Sequence, residues 1–344
     1  MNNRTLRLVA IWAVLLGAVH ANPWAGKHNT LWRDPGPIER LDFTYGPGGR
    51  AGQPAPPFTF IKEDKSGTSP KLFVRDARGR TWNVKFGEEV RAEVFGSRVA
   101  WAAGYFAEPT YFVRSGMIRG VRDLSMRAAA VVGRSGSFRD ARFQLRDPKL
   151  EFLDKNDWSW TYNPFIGTRE LAGLKIVMML TSNFDSKDAR DQDEGSNTAI
   201  FRRRGSRNEY IYAFTDWGRT LGKWGSVLRH STWNCSDFSA DTGEFVRVHD
   251  SKLQWGFGGR HTADVAGDIG VNDISWFIRR FGRVRDAQLK AGLIASGASL
   301  PEAQCFTREL RRRIDMLRSV AGGHKKGRAL VRRPAEEHPR VARR

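Results

Sequence analysis

Residues 168–183, TRELAGLKIVMMLTSN, constrain the fold more than any other stretch of the chain. The segment has helical length, Glu170 in its first turn and almost no polar face. A helix that is apolar all round has to be covered by protein on every side. The rest of the chain must therefore supply layers that wrap it. With 344 residues, 40% of them hydrophobic, there is material for one large domain or two modest ones.

What precedes the helix is strand-rich. FTFIKED, KLFVRD and RTWNVKFG read as three strands joined by the turns DKSGTSPK and ARG. EEVRAEVFGSRVAWAAGYF follows as a helix, with acids in its first turn and Val90, Val94 and Trp101 on or near one face. TYFVRSG and RFQLRD are strand-like again. After the apolar helix come two Arg-rich strands, TAIFRRR and EYIYAFTD, and then helices near residues 273–281 and 286–295. A last helix starts at Ser299, where Ser-Leu-Pro-Glu fits a capping box, and is expected to run to about Val320. This order predicts an α+β fold of two lobes: a β-rich N-terminal lobe over residues 58–165 and a helical C-terminal lobe over 166–321.

The ends read differently. Residues 1–21 hold Arg4 and Arg7, an apolar run from Leu8 to Val19, and Val-His-Ala. That pattern predicts a signal peptide cleaved after Ala21 and an exported protein, periplasmic or extracellular. The run is shorter than the roughly 20 apolar residues of a membrane span; an uncleaved N-terminal membrane anchor is the alternative. Residues 22–57 read as an extension ending in a Gly/Pro linker, YGPGGRAGQPAPPF. Residues 322–344 lack apolar periodicity and read as a basic, disordered tail. Cys235 and Cys305 are the only cysteines: one disulfide in an oxidising compartment, or two buried thiols. The net charge is +20, and the body of the chain keeps about +12 without the first 21 and last 24 residues. Such a balance favours anionic partners, including an envelope surface met by the basic tail. No nucleic-acid motif sharpens that reading.

Two acids sit at either end of the Arg-rich hairpin, Asp185 in NFDSKD and Asp216 in FTDWG. Phosphoryl transfer needs such a pair, one acid facing the substrate hydroxyl and one holding metal. It also needs a cation against the nucleotide phosphates and a Glu that holds this cation. Lys85 on the third strand and Glu93 on the next helix fit, with Glu89 an alternative to Glu93. In KSGTSPK, Ser66, Gly67, Thr68 and Ser69 offer hydroxyls and N–H groups to phosphates, although the segment also reads as a plain β-turn. Lys187 is placed to neutralise charge on the transferred group. Arg190 stands where the metal-binding Asn of a kinase loop is expected, so Asn197, or failing it Asp191, is the choice for the metal beside Asp216. Asp188 and Asp193 read as solvated loop acids.

SGTSPKLFVRD, RTWNVKFG and SRVAWAAGYF together resemble the N-terminal lobe of HipA-type and phosphatidylinositol-kinase-like proteins. NFDSKD, the later Asn and TDWG are similar to their catalytic and metal-binding segments. The chain also resembles a group of exported bacterial proteins with a kinase-like core. The likeness covers residues 58–320 in order, with few firm motif matches. Arg190 for Asn, Trp217 for Phe and the lack of a His in the Asp185 loop depart from the pattern. The resemblance implies ATP and Mg²⁺ between the lobes and a hydroxyl-bearing acceptor, protein, lipid or small molecule. Two further readings stay open: a kinase-fold scaffold of the cell envelope without catalysis, and an AMP-transferring variant. His261, Asp264 and Asp268 read as a polar loop rather than a metal cluster. Trp158 and Trp160 are open between an adenine wall and packing between lobes.

Overall fold

The computed structural model describes residues 27–153, 158–185, 197–226, 229–250, 252–259 and 262–331. The expected signal peptide, Lys187, Arg190, Asp191 and the last residues of the tail lie outside them. The N-terminal lobe is built on β2 (Phe58–Asp64), β3 (Lys71–Arg75), β4 (Thr81–Phe86), β5 (Thr110–Arg119) and β6 (Ser137–Leu145), which follow a short first strand, β1 (His28–Thr30). β2 to β6 close into a barrel in the order β2-β3-β4-β6-β5, and a short parallel pairing of β2 with β5 completes it. Alternation decides which side chains go inside: Leu72, Val74, Trp82, Val84 and Phe143 fill the barrel. Their neighbours Lys71, Lys85 and Arg142 fall on the other face, in one row across β3, β4 and β6.

Helix α1 (Val90–Ala102) follows β4 and the short α2 (Met126–Ala129) follows β5. The apolar stretch becomes α3 (Arg169–Leu180), with Thr168 as its N-cap accepting from Leu171 N at 3.2 Å. Every residue from Leu171 to Leu180 is buried, as a helix without a polar face requires. The one charge within that buried stretch, Lys175, reaches Gly267 O at 3.2 Å. Around it lie α4 (Cys235–Thr242), α5 (Thr262–Ala266), α6 (Val271–Phe281), α7 (Asp286–Ala295) and α8 (Leu300–Val331). A sheet of order β1-β9-β8-β7 links the lobes, from β7 (Leu150–Phe152), β8 (Thr198–Arg203) and β9 (Glu209–Phe214). Two small hairpins complete the chain: β10 (Lys223–Ser226) with β11 (Arg229–Ser231), and β12 (Val246–His249) with β13 (Lys252–Trp255). The α+β fold with a β-rich first lobe and a helical second lobe is the one expected from the sequence.

Two features depart from that expectation. The segment before Phe58 is part of the body: β1 pairs with β9, and Leu31, Ile38 and Phe43 enter the main core. Its Pro/Gly stretch forms single 3-10 turns rather than a free linker. α8 continues past Gly322 to Val331, where an irregular tail was expected. Cys235 and Cys305 form a disulfide that ties the start of α4 to α8. The capping box at Ser299 is present, with Ser299 N donating to Glu302 at 2.7 Å.

Candidate active site

Lys85 leaves β4 toward the space between the lobes, and two carboxylates from the start of α1 meet it. Its Nζ lies 2.6 Å from Glu89 and 2.9 Å from Glu93. The two acids that the sequence offered as alternatives therefore act together. Burial disfavours the ammonium charge, but Asp216, Glu93 and Glu89 outweigh it, so the Lys85 pKa is raised and the side chain is held as a cation. Glu93 spans two cations, since its other oxygen is 3.0 Å from Arg142. Glu89 takes Arg219 Nε at 2.7 Å and Ser69 Oγ at 3.1 Å. The result is a chain of alternating charge, Arg219–Glu89–Lys85–Glu93–Arg142, buried except at its Arg219 end. Breaking one link leaves its partners buried and uncompensated, which typically costs about 3–5 kcal/mol.

Asp216 closes β9 and lines the same cleft. Burial pushes its carboxyl up, but Lys85, the Gly218 N–H at 2.9 Å, Arg142 and Arg219 pull it below its ordinary value. It is therefore an ionised carboxylate at neutral pH. Two close approaches fix its segment. Trp217 is buried against α1, where a Cβ on Gly96 would stand 2.7 Å from the Trp217 Cβ. A Cβ on Gly218 would stand 2.9 Å from the Glu89 Cβ and 3.0 Å from Asp216 Oδ1. Glycine at both positions brings the D-W-G segment onto the helix that carries Glu89 and Glu93.

The turn after α3 is tied to this segment by three bonds. Asn183 Nδ2 donates to Asp216 O at 3.0 Å, Phe184 N to Arg219 O at 3.3 Å, and Leu221 N to Thr181 O at 2.8 Å. Asn183 Oδ1 accepts from Asp185 N at 3.2 Å, so one amide positions both acids. Asn197 Nδ2 donates to Asp185 O at 2.7 Å, which leaves Oδ1 as the ligating atom of that side chain. Asn197 O accepts from Thr215 N at 2.8 Å, placing Asn197 beside the residue that precedes Asp216. The hairpin of β8 and β9 thus brings Asp185, Asn197 and Asp216 together. Lys187 and the alternative ligand Asp191 lie outside the described residues.

The cleft has a volume of about 330 Å³. Asp64, Lys71, Lys85, Glu93, Asn197 and Asp216 are among its walls. Of the proposed phosphate turn, only Ser66 reaches it. Ser66 Oγ donates to Asp64 at 2.6 Å and accepts from Lys71 at 3.1 Å. Gly67 turns with φ +65°, and the carbonyls of Gly67 and Thr68 accept from Arg127 at 2.9 and 2.8 Å. Ser69 faces Glu89, so Gly67, Thr68 and Ser69 belong to the loop's support and not to the cleft wall. Sequence reasoning missed Arg142, Arg219, Asn183 and Glu108. Glu108 lines the cleft, accepts from Gln144 at 2.6 Å, and is pushed up to about 7 by burial against the opposing Arg146 and Arg142. Trp158 and Trp160 are core residues: Trp158 donates to Ala213 O at 3.2 Å, and Trp160 stacks on Phe214 at 6.1 Å. Among the described residues no cluster of three His, Cys, Asp or Glu could hold a metal, and His261 is not described.

No protein-family model and no curated protein matches this chain. Solved structures do. The Helicobacter pylori proinflammatory kinase CtkA is similar at 13% identity and a TM-score of 0.45, over 78% of this chain and 99% of that one. The Golgi casein kinase is similar at 11% identity and a TM-score of 0.36, over 81% of this chain and 75% of its own. The same kinase with Mn/ADP bound gives 10% identity and a TM-score of 0.38, over 80% and 75%.

The donor set suits a hard divalent cation. One ionised carboxylate, Asp216, and one amide oxygen, Asn197, are what Mg²⁺ or Mn²⁺ takes from protein when phosphates and water complete the shell. A soft-metal site would need thiolates or imidazoles, which the cleft wall does not offer among the described residues. The cleft volume falls within the usual range of small-molecule sites.

Proposed function

We propose that the chain is an atypical kinase, on the HipA-type or phosphatidylinositol-kinase-like plan, that binds ATP with Mg²⁺ between its lobes. The observation that carries this is the meeting of Lys85, Glu93 and Asp216 in one cleft, with Asn197 beside them. Strand lysine, helix glutamate, D-x-G aspartate and loop asparagine are the parts that kinase phosphoryl transfer uses, each in its own role. When bound, the metal would neutralise charge on the phosphates. Lys85, released in part from its two carboxylates, would hold the nucleotide phosphates. Asp216 and Asn197 would hold the metal. Asp185 would orient the acceptor hydroxyl and accept its proton as the new O–P bond forms and the bond from the γ-phosphorus to the β,γ-bridging oxygen breaks. Lys187 follows in the same loop and would meet charge on the transferred group. The acceptor is a hydroxyl of a protein, lipid or small molecule; AMP transfer is a variant of the same scaffold. The Cys235–Cys305 disulfide supports export, since such bonds persist in oxidising compartments.

A second reading, a kinase-fold scaffold that binds nucleotide without transferring phosphate, is favoured by Arg190 at the expected Asn position. Incubation of the full chain with γ-labelled ATP and Mg²⁺ or Mn²⁺ separates the two. A kinase gives label on the protein or free phosphate, lowered at least about 100-fold by Asp185→Asn, the usual size of an acid–base contribution. ATP left intact by a wild-type chain that binds it supports the scaffold and sinks the kinase.

A further inference from the structure

Arg313 is a buried charge in the middle of α8, with 1% of its surface exposed, that the proposed chemistry does not use. Among the described residues no carboxylate pairs with it; Asp241 and Glu309 act on it only at a distance. Burial pushes its pKa down to about 9 against those two acids. Its partners are backbone and hydroxyl oxygens at the ends of two helices. The NH1 group donates to Met179 O at 3.1 Å, Leu180 O at 3.3 Å and Ser182 Oγ at 2.7 Å. The NH2 group donates to Phe238 O at 3.1 Å and Nε to Thr242 Oγ1 at 3.0 Å. The guanidinium plane lies 3.8 Å from the centre of the Phe238 ring. Helix C-termini carry partial negative charge and unsatisfied carbonyls. α3 and α4 both end at this one cation, and their oxygens take the place of a carboxylate partner.

The consequence lies one residue further on. Ser182 has φ +49°, a left-handed backbone that a non-glycine residue holds only when its surroundings impose it. Arg313 grips its hydroxyl. The next residue is Asn183, whose amide positions Asp216 and Asp185. We propose that Arg313 is a positioning residue: through Ser182 it sets the turn at residues 181–185 and so registers Asp185 against Asp216. The geometric part stands on these bonds alone. Its effect on ligand binding rests on the nucleotide reading above. The Cys235–Cys305 bridge lies on the same pair of helices, α4 and α8, and holds them while Arg313 reaches past α4 to α3.

Hydrogen exchange read by mass spectrometry tests the geometric part without any ligand. Arg313→Met keeps length and apolar contact but removes the donors. Exchange in peptides covering 181–185 and 215–221 is expected to rise at least tenfold, while peptides of the barrel stay as in wild type. A residue that only holds the fold together would raise exchange across α3, α4 and α8 alike. That uniform pattern, or no change in the turn, overturns the proposal. If Arg313→Met does not fold, Ser182→Ala removes one acceptor and leaves the other four bonds; the same local rise is expected, and its absence is equally decisive. The functional consequence is read as Kd for ATP with and without Mg²⁺: the Mg²⁺-dependent part is expected to weaken about tenfold in the variant. A wild-type chain that binds no nucleotide refutes the kinase reading and leaves the exchange result to judge Arg313.

Discussion

Glu108 shows how one cleft residue couples to pH. Its carboxyl, pushed up to about 7 by burial, keeps a proton in the folded chain that the unfolded chain has already lost near pH 4.5. Between those values the native state binds more protons than the unfolded state, so stability falls as pH rises. A shift of that size corresponds to about 3 kcal/mol across the window. Urea midpoints at pH 5.5 and pH 8 are expected to fall more steeply for wild type than for Glu108→Gln. Equal slopes in the two proteins rule the assignment out. At this scale the meeting of Lys85, Glu93 and Asp216 in one cleft was legible, because a strand lysine, a helix glutamate and a D-x-G turn each carry a positional signature; Asn197, which lines the cleft with them, has no such signature, since Arg190 holds the expected position. Arg142, Arg219 and Glu108 were not. An arginine in an alternating strand reads as a solvated charge, and only barrel closure, which joins strands far apart in sequence, turns the row of Lys71, Lys85 and Arg142 into the cleft.

Among the elements, α1 and the D-W-G segment form one unit. Trp217 takes the place of the usual Phe and is accepted because Gly96 gives up its side chain. Gly96→Ala is a sharp test, because two effects oppose each other. Alanine favours a helix over glycine by about 1 kcal/mol, but its Cβ would meet the Trp217 Cβ at 2.7 Å, close to backbone that cannot swing away. Overpacking of this kind costs about 1–3 kcal/mol. Chemical denaturation is expected to show net destabilisation and a weaker metal-dependent nucleotide affinity; a variant as stable as wild type contradicts the packing. The strands and helices of both lobes were readable from periodicity and caps, including the start of α8. Its end was not, since the residues beyond Gly322 lack the apolar repeat that marks a packed helix. The role of residues 28–53 was also hidden. A Pro/Gly-rich segment looks free until its few apolar residues, Leu31, Ile38 and Phe43, are seen to fill gaps against α1 and the second lobe.

As a whole, the molecule places a barrel and a helical lobe around a polar cleft, with Lys85, Glu93, Glu108 and Arg142 buried in its walls. The barrel keeps a core of its own, while α1 and the N-terminal segment pack into the core of the helical lobe. This cleft is the proposed seat of nucleotide with a divalent metal. Thermal unfolding of the full chain with ATP, with and without Mg²⁺, beside Asp216→Ala, tests it most directly. A ligand that binds only the folded state adds about 2.7 kcal/mol at 100 times its Kd, enough to raise Tm by a few degrees in a chain of this size. A Mg²⁺-dependent rise in wild type that Asp216→Ala loses is the expected result. An equal rise in both proteins, or none in either, contradicts it.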